Sequence, residues 1–371
     1  MNKEQSEYTQ QKDLPKDVRP VLIVSNDTVS EYGIALKHLL AGLADVSISS
    51  ALICRPDCDI KAITMPRNLI IRHPVFDIPF MGWQNRRILL EKLKKFQPTL
   101  LHCISQSKAL LTRNLAKQLA IPYVLSINSL QKKLTKISIS TKRCAKIITS
   151  AEAVTLKVQQ TYPRIADRIQ KINMGTFTAD SPNCFSDLSR MASIVTFAPA
   201  KNEPGFDKLL SAVKHLVVDG YEFMLVIISG QGSDKQLQDK LKTLGLLNIV
   251  INVPRRAPWR SVLAAGDIFV QPVISDSFNP MMLEAMSVGA VVAACKGDTN
   301  DLLIDGKTCA FFDPNDELDI YSQLKHLFDK HEHSKQLAQN AQQNLRKNHQ
   351  VSTMVNETLQ LYREVQDWLK R

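Results

Sequence analysis

Short apolar runs alternate with helical stretches along almost the whole chain. In the first half the runs are VLIVS (21–25), VSISSALI (46–53), LIIR (69–72), LLHCIS (100–105), YVLSI (123–127), KIITS (146–150) and IQKIN (169–173). In the second half they are SIVTFAPA (193–200), FMLVIIS (223–229), IVINV (249–253), IFVQP (268–272) and VVAAC (291–295). Many lack polar–apolar alternation, as strands buried on both faces of a parallel sheet do. Helical patterns lie between them, at Gly33–Leu43, Asn85–Phe96, Ala109–Ala120 and Asp207–Val218. Such alternation predicts βαβ units and doubly wound open sheets. The pattern runs twice, around a polar break near residues 176–190 that carries Pro182. The expected layout is a disordered leader over 1–17, a Rossmann-like domain over 18–180 and a linker over 181–192. A second Rossmann-like domain follows over 193–352, and a last helix over 353–371 crosses back to the first. Ligands of such sheets sit beyond the carboxyl ends of the strands, so a cleft between the two sheets is the expected site.

Composition narrows this little, but charge adds something. The 371 residues suit two domains. No apolar run reaches the ~20 residues of a membrane span. The first 17 residues are polar with no apolar h-region, which points to a cytoplasmic protein. Seven cysteines are scattered; Cys54 and Cys58 form C-x3-C, but no second Cys/His pair completes a metal site, and no metal is expected. Residues 1–190 carry 28 Lys+Arg against 15 Asp+Glu, whereas the rest carries 19 against 21. No acidic residue falls between Thr99 and Ser150. An anionic partner for the first half follows, either a phosphate-bearing acceptor or an anionic membrane surface; solvated basic faces are the plainer alternative. Arg86, Arg87, Lys92, Lys94 and Lys95, just after Phe80, Met81 and Trp83, form the amphipathic edge such a surface would meet. Nucleic acid is not expected, because no recognisable binding signature occurs.

The densest chemical signal is SDSFNPMMLEAMSVGAVVAAC (275–295). Asn279-Pro280 reads as the N-cap and first residue of a helix. Glu284 then falls in the second turn among Met281, Met282, Leu283, Ala285 and Met286. A carboxylate on so apolar a helix is costly to bury without hydrogen bonds. Asp276 lies in the loop that feeds this helix, whose start offers backbone N–H groups to a phosphate. Gly230 and Gly232, in SGQGSDK, allow a tight strand-to-helix turn.

This stretch resembles the Glu-x7-Glu motif of the retaining glycosyltransferases of family 4, the "glycosyl transferases group 1". IVSNDTVSEYGIALKHLLAGL (23–43) resembles that family's first strand, acceptor loop and first helix, and FQPTLLHCIS (96–105) its "PDiiHvhs" strand. KIITSAEAV and KINMG (171–175) resemble the run closing the first domain, and ISGQGSDKQLQDKLKTLGL the "vGdGpe…L…lGl" segment. VLAAGDIFVQP and LLIDGKTCAFFDPNDELDI resemble "l..aDvfvlPS" and "eiI.dG.nGllv.p.D". The resemblance implies an α/β GT-B fold, two Rossmann-like doubly wound parallel-sheet domains facing across a cleft. It assigns Glu284 to the nucleotide ribose and Asp276 to the hydroxyls of the transferred sugar. Ser277, Phe278, Asn279, Pro280 and Met281 surround the nucleotide sugar, with the amides of Phe278 to Met282 near its phosphates.

Four departures from the pattern qualify this. The family's G-R-x-x-x-x-K-G clamp on the diphosphate corresponds to Ala198-Pro199-Ala200-Lys201-Asn202-Glu203-Pro204-Gly205, with proline at both basic positions. Lys201 lies close enough in sequence to replace one cation. Asn128 stands where the family carries a histidine lining the sugar pocket; it can bond a hydroxyl but not shuttle a proton. Tyr32-Gly33 stands for Gly-Gly in the acceptor and phosphate loop, where His102 is a third candidate, although a lone histidine is more often structural. Gly297-Asp298 replaces another Gly-Gly, and Asp301 a Glu. Arg255, in NVPRR, lies where the family contacts the nucleobase.

The implied activity is transfer of a hexose from a nucleotide diphosphate sugar to a glycan or lipid-linked acceptor with retention of configuration. Cell-surface polysaccharide or lipopolysaccharide synthesis is the expected setting, at the cytoplasmic face of the membrane, without a cofactor. The rival reading is a catalytically degenerate GT-B subunit that binds or scaffolds.

Overall fold

The computed structural model describes residues 18–60, 63, 68–74, 82–130, 137–199, 202–230, 234–255, 259–275, 277–296 and 301–370. The first sheet has seven strands: β1 (Pro20–Ile23), β2 (Ala51–Cys54), β3 (Leu69–Arg72), β4 (Leu100–Cys103), β5 (Tyr123–Ser126), β6 (Cys144–Thr149) and β7 (Ile169–Lys171). Their order is β3-β2-β1-β4-β5-β6-β7. Helices α1 (Asn26–Asp45), α2 (Gly82–Phe96), α3 (Ala109–Leu119) and α4 (Glu152–Thr161) connect them. The second sheet has β8 (Ala192–Phe197), β9 (Phe223–Ser229), β10 (Val250–Pro254), β11 (Ile268–Gln271), β12 (Val291–Cys295) and β13 (Ala310–Phe312) in the order β10-β9-β8-β11-β12-β13. Its helices are α5 (Pro204–Val218), α6 (Asp234–Leu244), α7 (Trp259–Ala264) and α8 (Pro280–Val288). Helices α9 (Glu317–Asp329), α10 (His331–Asn348) and α11 (Val351–Gln366) end the chain. Both sheets are parallel and Rossmann-like in their βαβ winding.

Each apolar run read from the sequence contains a strand, and the reason is visible in burial. β1, β2, β4, β5 and β12 are buried at every position, so each strand has a helix or loop covering both faces and no polar side is needed. β13 was not anticipated: three residues carry no period of their own, and pairing with β12 makes Ala310–Phe312 a strand. Helix α1 corrects a second expectation. It begins at Asn26, seven residues before the predicted start, because Ser25 caps it and accepts from the Thr28 N–H at 3.3 Å. Tyr32 and Gly33 therefore lie inside a helix, not in an acceptor loop. A Cβ on Gly33 would meet Ile63 Cγ2 at 3.4 Å, an ordinary contact, so no close approach reserves this position for glycine.

By contacts the chain divides into two units: Met1–Ser126 with Ile137–Ile147 and Val355–Arg371, and Ile127–Lys136 with Ile148–Met354. In the first, Tyr362 from α11 is buried and bonds His102 on β4. In the second, Leu209, Leu210, Val213 and Leu216 of α5 pack with Leu225, Ile227, Ile268, Val270 and Phe312 in one core. The segment between the sheets is anchored in that second core. Cys184 and Phe185 are buried there, and the Asn183 and Cys184 N–H groups both donate to Gly289 O at 3.0 Å. All seven cysteines are free thiols and buried. Among the described residues no helix is long and apolar enough to cross a membrane, and no three His, Cys, Asp or Glu side chains could hold a metal.

Candidate functional site

In an open parallel sheet, ligands gather where the strand order reverses. In the second sheet that point lies between β8 and β11, adjacent strands whose helices leave in opposite directions. The loop after β8 leads to α5 with Pro204 as its first helical residue. The loop after β11 leads to α8. The two come close: a Cβ on Gly205 would sit 2.1 Å from Pro272 O, so only glycine fits there.

Helix α8 begins as its sequence dictates. Asn279 is the N-cap, its Oδ1 accepting from Met281 N at 3.0 Å and Met282 N at 3.4 Å, with Pro280 next. Gln271, at the end of β11, orients the cap by accepting from Asn279 Nδ2 at 2.9 Å. Gly289 ends the helix in the left-handed region at φ 86°. The preceding loop is tied down as well. Ser275 Oγ donates to Ser277 O at 2.8 Å, Ser129 and Ser277 form an antiparallel bridge, and Phe278 N donates to Asn128 O at 2.9 Å. Asn128 Oδ1 in turn accepts from Ser150 Oγ at 2.7 Å. Asn128 and the 277–279 loop thus meet, although about 150 residues separate them in sequence. Phe278 is buried and stacks at 6.2 Å on His349, whose Nδ1 donates to Met174 O. Burial lowers the His349 pKa from its ordinary value.

These contacts change the expected phosphate donors. Of the amides from Phe278 to Met282, three already have acceptors and Pro280 has no N–H. Among the described residues only the Asn279 N–H has none. Any phosphate held here draws on that group and on the partial positive charge of the helix start.

Glu284 is 2% exposed. Its Oε1 accepts from Thr176 Oγ1 at 2.8 Å, and its other oxygen is ion-paired with Arg260 of α7. Arg260 also donates to Ser287 Oγ at 3.1 Å, Thr176 Oγ1 at 3.4 Å and Phe177 O at 2.6 Å. Burial lowers the guanidinium pKa from its ordinary value, yet an arginine stays charged in any protein setting. Sequence reasoning missed Arg260 and Thr176. Both are unremarkable in composition, and nothing local links positions 176, 260 and 284.

The remaining candidates fall variously. Gly230 follows β9 with open space where a side chain would stand. Arg255 is half-buried, its N–H donating to Ser229 O at 2.8 Å. Asp276, Lys201 and Gly232 lie outside the described residues, as do Arg256, Gly297 and Asp298. Asp301 accepts from Lys171 Nζ at 2.5 Å and from the Glu152 N–H that opens α4.

His102 is a core residue rather than part of an acceptor loop. It is buried, with Nδ1 bonded to Tyr362 Oη at 2.6 Å and Nε2 to Ser126 Oγ at 2.8 Å, so neither nitrogen is left for a ligand. Burial pushes its pKa down to about 3. Between that value and the unfolded value near 6.5, only the unfolded chain binds the proton. The stability contributed by neutral His102 is therefore complete above pH 6.5 and falls with pH, by about 1.4 kcal/mol per unit, down to about 3. His102→Gln should flatten the unfolding free energy between pH 6.5 and 4 by about one proton. Urea midpoints across that range measure it, and an unchanged slope would assign the titration elsewhere.

Residues 192–330 match the family model described as "Glycosyl transferases group 1". Over 127 residues, 33% of this chain, the sequence is 32% identical to the sulfoquinovosyl transferase SQD2 of Arabidopsis thaliana; the chain spans about a quarter of that relative, 24% of its length. The fold is similar to that of a glycosyltransferase from Rickettsia africae, with TM-score 0.79 and 14% identity over 94% of this chain and 99% of the other. It is similar also to Anabaena Alr3699/HepE, solved with UDP-glucose, with TM-score 0.75 and 16% identity over 92% and 98%. Residues 192–330 are thus a glycosyl transferases group 1 domain, in a chain whose two parallel-sheet Rossmann-like domains have the fold of GT-B glycosyltransferases.

Proposed function

We propose that the chain transfers a hexose from a nucleoside diphosphate sugar to a glycan or lipid-linked acceptor, with retention of configuration. The observation that supports it is the Asn279-capped start of α8 at the switch point of the second sheet, inside the matched region. The diphosphate rests against that helix end. The transferred sugar faces Asp276 and Asn128, and Lys201 supplies the cation that the prolines at 199 and 204 do not. In a front-side displacement the departing diphosphate takes the acceptor's proton, so a carboxamide at Asn128 suffices. The relative solved with UDP-glucose makes a uridine sugar the first donor to test. The acceptor belongs at the corresponding point of the first sheet, between β1 and β4, where Ser25, Thr28, Ser105 and Ser107 form a chain of hydroxyls 2.9–3.0 Å apart. The basic first half suits a lipid-linked acceptor on an anionic membrane, in cell-surface glycan or lipopolysaccharide synthesis at the cytoplasmic face. No cofactor enters this scheme.

A second reading, a subunit that binds without catalysing, is favoured by one observation: Pro204 is the first residue of α5, a structural role in place of a cation. Thermal unfolding with UDP, ADP, GDP and their glucose conjugates separates the two. At a ligand concentration of about 100 Kd, binding adds about 2.7 kcal/mol, a rise of roughly 3–4 °C for a chain of 371 residues. Stabilisation with slow release of glucose from UDP-glucose supports the transferase. Stabilisation without turnover, even with candidate acceptors, supports the binding subunit. No shift with any nucleotide and no turnover would sink both.

A further inference from the structure

We propose that the outer face shared by α2 and α3 is a docking surface for an anionic bilayer, with Ile88 and Leu110 entering the headgroup region and the cations beside them resting on lipid phosphates. This rests on the reading above and gives its membrane partner a place on the fold.

The sheet order sets the two helices side by side. α2 runs from the end of β3 to the start of β4, and α3 from the end of β4 to the start of β5. Both crossovers travel in the same direction, so right-handed connections put both helices on one face of the sheet, where they touch. Leu89 and Leu93 of α2 and Leu111 and Leu115 of α3 are buried beneath. Helical spacing decides what is left outside. Ile88, Lys92 and Lys95 follow at i, i+4 and i+7 along α2, and Leu110, Arg113 and Lys117 at i, i+3 and i+7 along α3; all six are exposed. Each line thus begins on an apolar residue and continues through two cations.

Ile88 is 52% exposed and Leu110 51%. Singly, such residues are ordinary on a protein surface. These two stand at the same end. Each helix leaves the carboxyl end of a strand, so its early turns lie at the end of the sheet where Ser25 and Ser105 meet.

Charge selects the occupant. Glu91 is the one acid in the sequence of either helix, and it pairs with Arg87 at 3.6 Å. No acidic residue falls between Thr99 and Ser150. An apolar tip with basic flanks matches a surface that is anionic outside and apolar within. A nucleic acid would use the cations but offer Ile88 and Leu110 no apolar phase to enter.

The test is cosedimentation of the full chain with phosphatidylcholine vesicles, with and without phosphatidylglycerol. The proposal expects binding to the anionic vesicles, little to the neutral ones, and release as salt rises from about 0.1 M to about 1 M, which shortens the screening length from ~10 to ~3 Å. Lys92→Gln with Lys95→Gln should weaken binding by about tenfold or more, at roughly fivefold per cation. Ile88→Ser with Leu110→Ser should weaken it by about tenfold at unchanged charge, the loss of two partly inserted apolar side chains. Lys242→Gln with Lys347→Gln removes the same charge from exposed positions on α6 and α10 and should change nothing. All three double variants should keep the wild-type Tm, because the altered side chains are exposed. The proposal is overturned if the wild type ignores anionic vesicles, if Ile88→Ser with Leu110→Ser binds like the wild type, or if the α6 and α10 control weakens binding as much as the α2 pair. Tighter binding to single-stranded RNA than to vesicles, lost with the lysines but not with Ile88 and Leu110, overturns it in favour of a nucleic-acid surface. Nucleotide binding and sugar release are measured without vesicles, so failure here leaves the donor-site reading standing, and failure there leaves vesicle binding to be decided by these variants.

Discussion

Asp267→Ala is expected to cost about 3–5 kcal/mol of folding stability, the price of stranding the partners of a buried ion pair. Asp267 lies just before β11 and is 1% exposed. Arg190 meets it with both terminal nitrogens, at 2.8 and 2.6 Å, and the N–H groups of Phe185 and Ser193 donate to it at 2.7 and 2.9 Å. Alanine would leave two buried N–H groups and one guanidinium facing an apolar gap. Asp267→Asn should be nearly as damaging, because an amide turns two donors toward groups that are themselves donors. Arg190 is about one-third exposed, with solvent to receive it, so replacing Asp267 is the more severe loss. Urea unfolding measures the difference. A cost below about 1 kcal/mol would show that this network is not what fixes the segment before β8 to the sheet.

Gly289→Ala is the second large effect. Two causes add: the left-handed backbone costs an L-residue roughly 1–2 kcal/mol, and a Cβ there would sit 2.5 Å from Asn183 N and from Pro182 Cα. Backbone, not a flexible side chain, would have to move, and Gly289 O already accepts from Asn183 and Cys184. A total above about 3 kcal/mol is expected. Gly220→Ala is the control, since Gly220 has φ 85° and nothing within 4 Å of the added carbon. It should show the backbone cost alone. Equal losses at the two positions would refute the packing argument. Because Gly289 ends α8, its replacement should also reduce the stabilisation produced by a bound nucleotide.

These two positions show why the fold was so legible. The strands announce themselves because a parallel strand buried on both faces must be apolar throughout, as at VVAAC, and its helix neighbours must change period. The start of helix α8 was readable to the residue because its signals are local: Asn279 bonds two residues two and three positions on, and Pro280 lacks an N–H that would be orphaned. The start of α1 was equally local, written in Ser25 and Thr28, but a resemblance that expected a loop masked it. β13, by contrast, is three residues whose strand character comes from β12.

The candidate site divides along the same line. The sequence by itself determined the two doubly wound parallel sheets, the capped helix start at Asn279-Pro280 and the presence of a carboxylate on that apolar helix. What it could not determine is what those groups face. Asn128 joins Phe278, Thr176 and Arg260 enclose Glu284, and Asp267 gathers Arg190, Phe185 and Ser193. Each of those contacts spans residues distant in the chain, and no periodicity encodes it. Only folding brings such groups together, and only then does burial decide that His102 is a neutral core residue and Glu284 a carboxylate shut away from solvent. Capping and periodicity act over a few residues and leave a trace in sequence, whereas charge pairing and desolvation depend on distance in space.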